Sequence, residues 1–168
     1  MPPSGARLAL PPDIALRPVT DADLPLLERI YASTRTEELA QTGWDEAQKT
    51  AFLRFQFQAQ HQHYATHYAD AEFFVIERAG IPAGRLYLHW RPQELRIVDI
   101  ALLPSQRGAG TGGALLRALL DLSQAHGRRV SIHVERSNPA QTLYHRLGFR
   151  KAGEHGIYDL MERHPETA

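Results

Sequence analysis

Leu103-Pro-Ser-Gln-Arg107-Gly108-Ala109-Gly110-Thr111-Gly112-Gly113-Ala-Leu-Leu116 decides how the rest of the chain is read. Four glycines in six residues stand between two apolar stretches, Leu95–Leu103 before and Ala114–His126 after. The first reads as a buried strand. The second is a helix with Leu115, Leu119 and Leu122 on one face, stopped by Gly127. A helix N-terminus carries unpaired N–H groups and the positive end of the helix dipole, so it holds anions. Glycine lets the backbone come close to a phosphate and take positive φ. Arg107 and Gln106 add a charge and a side-chain donor.

Two phosphate-binding motifs compete for this run. A P-loop needs Lys-Ser or Lys-Thr after its last glycine, and Gly112 is followed by Gly113 and Ala114. The dinucleotide pattern Gly108-x-Gly110-x-x-Gly113 fits, and Glu135 stands roughly where a ribose-binding acid belongs. An oxidoreductase of that type therefore stays open as an alternative. Against it, the fingerprint lies late in the chain, too few residues follow for the remaining crossovers, and Pro104–Gln106 separate strand from glycine.

Outward from the turn, the chain reads as β-α-α-β-β-β-α-β-α-β-β. Ile14–Val19 is a strand. Thr20-x-x-Asp23 opens a helix to Ser33 as a capping box. Thr34–Trp44 reads as a loop, and Asp45 caps a long helix from Glu46 to about Tyr68, with Phe52, Phe55 and Ala59 as its core face. Ala71–Arg78 and Arg85–Trp90 form a hairpin around the turn Gly80–Gly84. Beyond the glycines, Val130–Glu135 is a strand, and Asn138 caps a short helix with Pro139 at its first position. Phe149–Ala152 and Ile157–Glu162 close the sheet. The reading is a mixed α/β domain over 13–168 behind a loose tail at 1–12.

With 168 residues, 43% apolar and 23% charged, the chain suits one domain with an ordinary core. Nineteen basic and nineteen acidic residues cancel, which gives no reason to expect nucleic acid or an anionic membrane as partner. The absence of cysteine excludes disulfides, thiolate metal sites and a cysteine nucleophile. No stretch reaches the roughly 18 apolar residues of a membrane helix, and 1–12 lacks a signal-peptide core, so a cytoplasmic location is expected. His63 and His67 are four apart, but no third ligand stands near them, so no metal is expected.

The order of elements and two blocks resemble the GNAT family of N-acetyltransferases, from Ile14 onward. The family signature Arg/Gln-x-x-Gly-x-Gly/Ala is here Arg107-x-x-Gly110-x-Gly112. The second block is Asn138-Pro-Ala140-Gln-Thr-Leu-Tyr144-His-Arg-Leu-Gly148-Phe149, one residue shorter after the asparagine than in many members. Ser33–Trp44 resembles a bacterial subgroup. The resemblance implies a mostly antiparallel sheet, splayed between its fourth and fifth strands and flanked by about four helices. It implies acetyl-CoA as cosubstrate, with its pyrophosphate on the amides of Arg107, Gly108, Ala109, Gly110, Thr111, Gly112 and Gly113. Backbone groups of Ala101, Leu102 and Leu103 would hold the pantetheine arm, with Asn138, Ala140 and Tyr144 alongside. A small-molecule or peptide amine would be the acceptor, and a homodimer is compatible with the family. A coenzyme A sensor without catalysis is the other alternative.

Amine acylation needs a neutral nucleophile, a stabilised oxyanion and a protonated leaving thiolate. An alkyl thiol has a pKa of about 8.5, so its thiolate already leaves fairly well. Tyr144 matches the family's general acid, and the Leu102 amide is the candidate oxyanion donor. The family's glutamate base falls at Arg96, which cannot serve. Asp99 lies on the same strand but faces the other way by alternation, unless a bulge intervenes. Glu37 and Glu38 could act through water. Arg35, Glu37, Glu38 and Trp44 stand where the acceptor pocket is usually built, and they suit a cationic amine. Deprotonating a lysine amine at pH 7 costs about 4.6 kcal/mol and an α-amine about 1 kcal/mol, so a site without a strong base favours an amine of low pKa.

Overall fold

The computed structural model describes residues 2–166, so residues 1, 167 and 168 of the expected tail and domain lie outside the described residues. Seven strands make one sheet: β1 (Ile14–Pro18), β2 (Glu72–Arg78), β3 (Ile81–Arg91), β4 (Glu94–Leu102), β5 (Arg129–Glu135), β6 (Arg150–His155) and β7 (Tyr158–Arg163). Their order is β1-β2-β3-β4-β5-β7-β6. Every neighbouring pair is antiparallel except β4 and β5. The helices are α1 (Leu24–Ser33), α2 (Thr36–Ala40), α3 (Glu46–His67), α4 (Thr111–Ala125) and α5 (Gln141–Arg146). The doubly wound parallel sheet that a dinucleotide fold requires is therefore not what the chain builds.

Strand alternation sorts the core onto two faces. Ile76, Leu86, Leu88, Leu95, Ile97, Val130 and Ile132 pack against Leu115 and Leu119 of α4. Val75 and Ala101 point the other way, to Leu27, Ile30 and Tyr31 of α1 and Phe57 of α3. The two sheet faces thus carry separate helices: α4 on one, α1 with α3 on the other. Ala6, Leu8 and Leu10, from the segment expected to be a loose tail, rest against the α4-side core.

Local chemistry explains most boundaries. The backbone N–H of Thr20 donates to the Asp23 carboxylate at 2.8 Å, closing the capping box as expected. Arg17 adds a two-pronged hydrogen bond to Asp23, both arms 2.8 Å, and so ties β1 to the start of α1. At α3, Gln48 donates its amide to Asp45 at 2.8 Å, and its side chain accepts from the Asp45 amide at 3.0 Å.

Four boundaries and one helix face differ from expectation. The β2–β3 turn is Ala79–Gly80, both at positive φ, so Ile81–Gly84 are strand. The segment 34–44 contains the short helix α2. α4 starts at Thr111, which draws Gly112 and Gly113 into its first turn. α5 starts at Gln141, because Asn138 forms a turn of its own instead of a cap. On α3 the inward line is Leu53, Gln56, Phe57, Gln60 and Tyr64, while Phe55 is 72% exposed and Ala59 is exposed. That inward face is half polar, so the apolar pattern does not mark it.

Gly84 of β3 lies directly against the backbone of β4. A Cβ there would stand 2.1 Å from the Ala101 carbonyl oxygen. Gly84→Ala should cost about 3 kcal/mol, the upper range for overpacking a core, read as a lower denaturant midpoint. A midpoint equal to that of the parent would show that the two strands can spread.

Candidate functional site

β4 and β5 pair only from Glu94/Arg129 to Ile97/Ile132 and then separate. The paired half is riveted on the α1 side. Arg96 donates to the Ser131 hydroxyl at 2.7 Å and to Glu94 at 3.2 Å, and Ser131 donates to Glu94. Arg96 also donates to His133 Nδ1 at 3.0 Å. A guanidinium only donates, so neutral His133 carries its proton on Nε2. Burial, then the Arg96 charge, hold the His133 imidazolium below its ordinary pKa. With Nδ1 taken, His133 has no lone pair to offer as a base.

The separation coincides with a bulge. The register steps from Leu88/Ile97 to Tyr87/Asp99, leaving Val98 as an extra residue in β4. Alternation is reset by one, so Asp99 comes to the same face as Arg96 and Ala101. There it pairs with Arg85 at 2.5 Å, and Arg85 also donates to Gln60 of α3 at 3.0 Å. The Arg85 cation lies over the Tyr87 ring, 5.1 Å from its centroid, with Tyr64 edge-on to Tyr87 at 5.5 Å. Burial works against the Arg85 charge and Asp99 overcomes it, so the guanidinium is held protonated more firmly than in water. Burial first, and Asp99 second, push the Tyr64 and Tyr144 hydroxyls up, Tyr144 to about 12.

Beyond the bulge the backbone of β4 has one free side. The Leu103 amide donates to Ala83 at 2.8 Å, and the Ala101 carbonyl faces Gly84. Both therefore point to β3, against their expected contact with pantetheine. By alternation the Leu102 N–H points into the opening, where its carbonyl accepts from Arg107 Nε at 3.1 Å.

At the mouth, Gly108 and Gly110 take φ of +79° and +83° and turn the chain into α4. The Arg107 amide is engaged by the Pro104 carbonyl at 3.3 Å. Among the described residues the amides of Gly108, Ala109, Gly110, Thr111, Gly112 and Gly113 meet no acceptor, and the first helical bond is Ala114 to Gly110 at 3.0 Å. Thr111 Oγ1 is buried beside them without a partner. Six open amides and an orphaned hydroxyl at a dipole's positive end fit a diphosphate.

The opposite flank holds α5. Tyr144 is 6% exposed, packs edge-on to Phe149 at 5.4 Å, and its hydroxyl has no hydrogen bond among the described residues. Asn138 Oδ1 accepts from the Ala140 amide at 2.9 Å, and Ala140 packs on the core, so both shape the approach to α5. Arg35 follows α1 and lies over the Tyr31 ring at 5.6 Å. It donates to Glu38 at 2.8 Å and stands 3.5 Å from Glu135 at the end of β5. Glu37 is exposed on α2. Trp44 packs edge-on against Phe52 of α3 at 5.0 Å, so it braces α3. The rings of His63 and His67 lie 4.4 Å apart and tilted, and the described residues contain no cluster of three or more groups able to hold a metal. No helix among them is long and apolar enough to cross a membrane.

Arg85, Gln60 and Tyr64 escaped the sequence reading. The one available signal was arginine inside the apolar alternation of β3.

Residues 30–149 match the profile of the Acetyltransferase (GNAT) family. The chain belongs to that family. It is 35% identical over 85 residues to a Bacillus subtilis protein provisionally named a ribosomal protein bS18 alanine N-acetyltransferase, covering 49% of this chain and 56% of that one. It is 39% identical over 103 residues to a mycothiol acetyltransferase of Salinispora tropica, covering 54% and 33%. The chain thus spans about half or less of these relatives' length. The fold matches the N-acetyltransferase PaiA of Thermoplasma acidophilum, solved with coenzyme A, at a TM-score of 0.66 and 16% identity over 90% of this chain and 98% of that one.

Removing one partner of a buried ion pair strands the other. Arg85→Met should cost about 3–5 kcal/mol, and Arg85→Met with Asp99→Leu should recover most of it. Chemical denaturation of the two variants checks this; equal losses in both would deny that the pair is coupled.

Proposed function

We propose that the protein transfers the acetyl group of acetyl-CoA directly to a primary amine. The observation that carries this is the row of open amides from Gly108 to Gly113, placed at the mouth of the parted β4 and β5 with Tyr144 on their flank. When bound there, acetyl-CoA supplies an acyl thioester. Gly108–Gly113 hold the diphosphate through backbone donors and the α4 dipole. The parted strands give the slender arm a slot, and the Leu102 N–H is the strand donor that faces it. The same N–H is placed to stabilise an oxyanion. Tyr144 returns a proton to the departing sulfur. Its raised pKa keeps it in the donor form across the neutral range, where the departing thiolate needs a proton.

Asp99 is the carboxylate that the bulge turns toward this end of the cleft, and it receives the amine proton directly or through water. Arg85 stands at its back and holds the carboxylate in place. An amine of low pKa, an α-amine among them, gives up its proton at least cost. Glu38 is tied to Arg35 and Glu37 is exposed, which leaves both poorer bases. A cytoplasmic setting suits such a reaction.

Calorimetric titration with acetyl-CoA and with NAD(P), followed by turnover on polyamines, amino acids and peptide N-termini, tests the reading. Tight acetyl-CoA binding with N-acetylated product is expected; binding without product from any amine would leave a sensor. Tyr144→Phe should lower kcat by about 100-fold, the usual scale for losing a general acid, with little change in coenzyme Kd. Because Tyr144 is pushed up to about 12, its ionisation should not reduce kcat between pH 8 and 10. A decline there that Tyr144→Phe abolishes would contradict the assignment.

A further inference from the structure

We propose that Glu135 receives a second, non-reacting ammonium of the acceptor, so that the protein favours amines carrying another cation a few carbons from the nucleophile. This rests on the transferase reading above. Glu135 ends β5 on the face that also carries Ser131 and His133, beyond the point where β4 has left. Its backbone is fixed: the carbonyl accepts from the Asn138 amide at 2.9 Å and from Gln141 Nε2 at 3.2 Å. Its carboxylate is loosely held. The side chain is 29% exposed and lies 3.5 Å from Arg35, yet no group among the described residues donates a hydrogen bond to it. Arg35 gives its own hydrogen bond to Glu38.

A carboxylate that no protein donor holds keeps its lone pairs open to a ligand, and an ammonium brings three donors. Its arrival would leave no charge orphaned, because Arg35 remains on Glu38. The carboxylate also borders space of the right kind. A cavity of about 370 Å³ is lined by Glu135, Arg136, Ser137, Gly156 and Ile157. Ile157, 63% exposed at the β6–β7 turn, gives it an apolar wall suited to methylenes. Arg136 is engaged by the Gly156 carbonyl, and stands 3.5 Å from Asp159. That leaves Glu135 as the charge in this lining without a hydrogen-bonded partner.

The test compares 1,4-diaminobutane, butylamine and 4-aminobutan-1-ol as acceptors with acetyl-CoA. The expected result is a kcat/KM for the diamine at least tenfold above both others, shrinking in 0.5 M salt as an exposed ion pair should. In Glu135→Gln the ratio of diamine to butylamine should fall to near 1, with the KM for acetyl-CoA within twofold to show an intact coenzyme site. Glu38→Gln should also reduce the ratio, because Arg35 then turns to Glu135. A ratio near 1 in the parent protein, or one unchanged in Glu135→Gln, would overturn the assignment. Acetyl-CoA binding without acetylation of any amine would sink the transferase reading instead, and this one with it.

Discussion

Everything distinctive about the molecule follows from how far β4 and β5 stay together. Four residue pairs are joined, and the strands then part. Two devices set that point. On one side, Glu94, Arg96 and Ser131 lock the paired half with buried charged hydrogen bonds. On the other, the extra residue Val98 breaks the regular register of β4 just where the pairing with β5 ends. The parted strands leave backbone N–H and C=O groups unpaired inside a sheet, which is costly unless something else satisfies them. A narrow ligand with amide groups of its own answers that need.

The same bulge decides the electrostatics. Without it, Asp99 would point into the apolar layer beneath α4, where a carboxylate is expensive. With it, Asp99 meets Arg85, and Gln60 from α3 completes the arginine's surroundings. The pair is neutral as a whole but keeps a negative end near Tyr144, which raises that hydroxyl's affinity for its proton. One inserted residue thus places a carboxylate, recruits a helix and helps keep the Tyr144 hydroxyl protonated. Parts of the site come from α1, α2, β3, β4, α4, β5 and α5, so they meet only in the finished sheet.

The inward face of α3 shows how a functional layer hides from pattern reading. Gln56 meets the Tyr31 hydroxyl at 2.9 Å, Gln60 meets Arg85, and Tyr64 stacks edge-on to Tyr87. Gln60 and Tyr64 face the sheet where Arg85 and Asp99 lie, and Gln56 turns to α1. Periodicity assumes that the apolar side faces inward, and it therefore picks Phe55, which lies in solvent. The meeting of Arg35 with Glu135 escapes for another reason: a hundred residues separate them, and nothing local in either segment says that they meet.

By itself the sequence determined the order of the strands and of every helix but α2, the capping box at Thr20, the cap at Asp45, the glycine turn, and the family to which these belong. Each is a short-range matter: glycine's freedom at positive φ, a side-chain oxygen beside an open amide, apolar spacing along a strand. Only the tertiary structure decided which face Asp99 takes, which amides between Ala101 and Gly113 stay open, and what neutralises Arg85 and Arg35. Those depend on register between strands, where a single extra residue turns a side chain to the opposite side of the sheet.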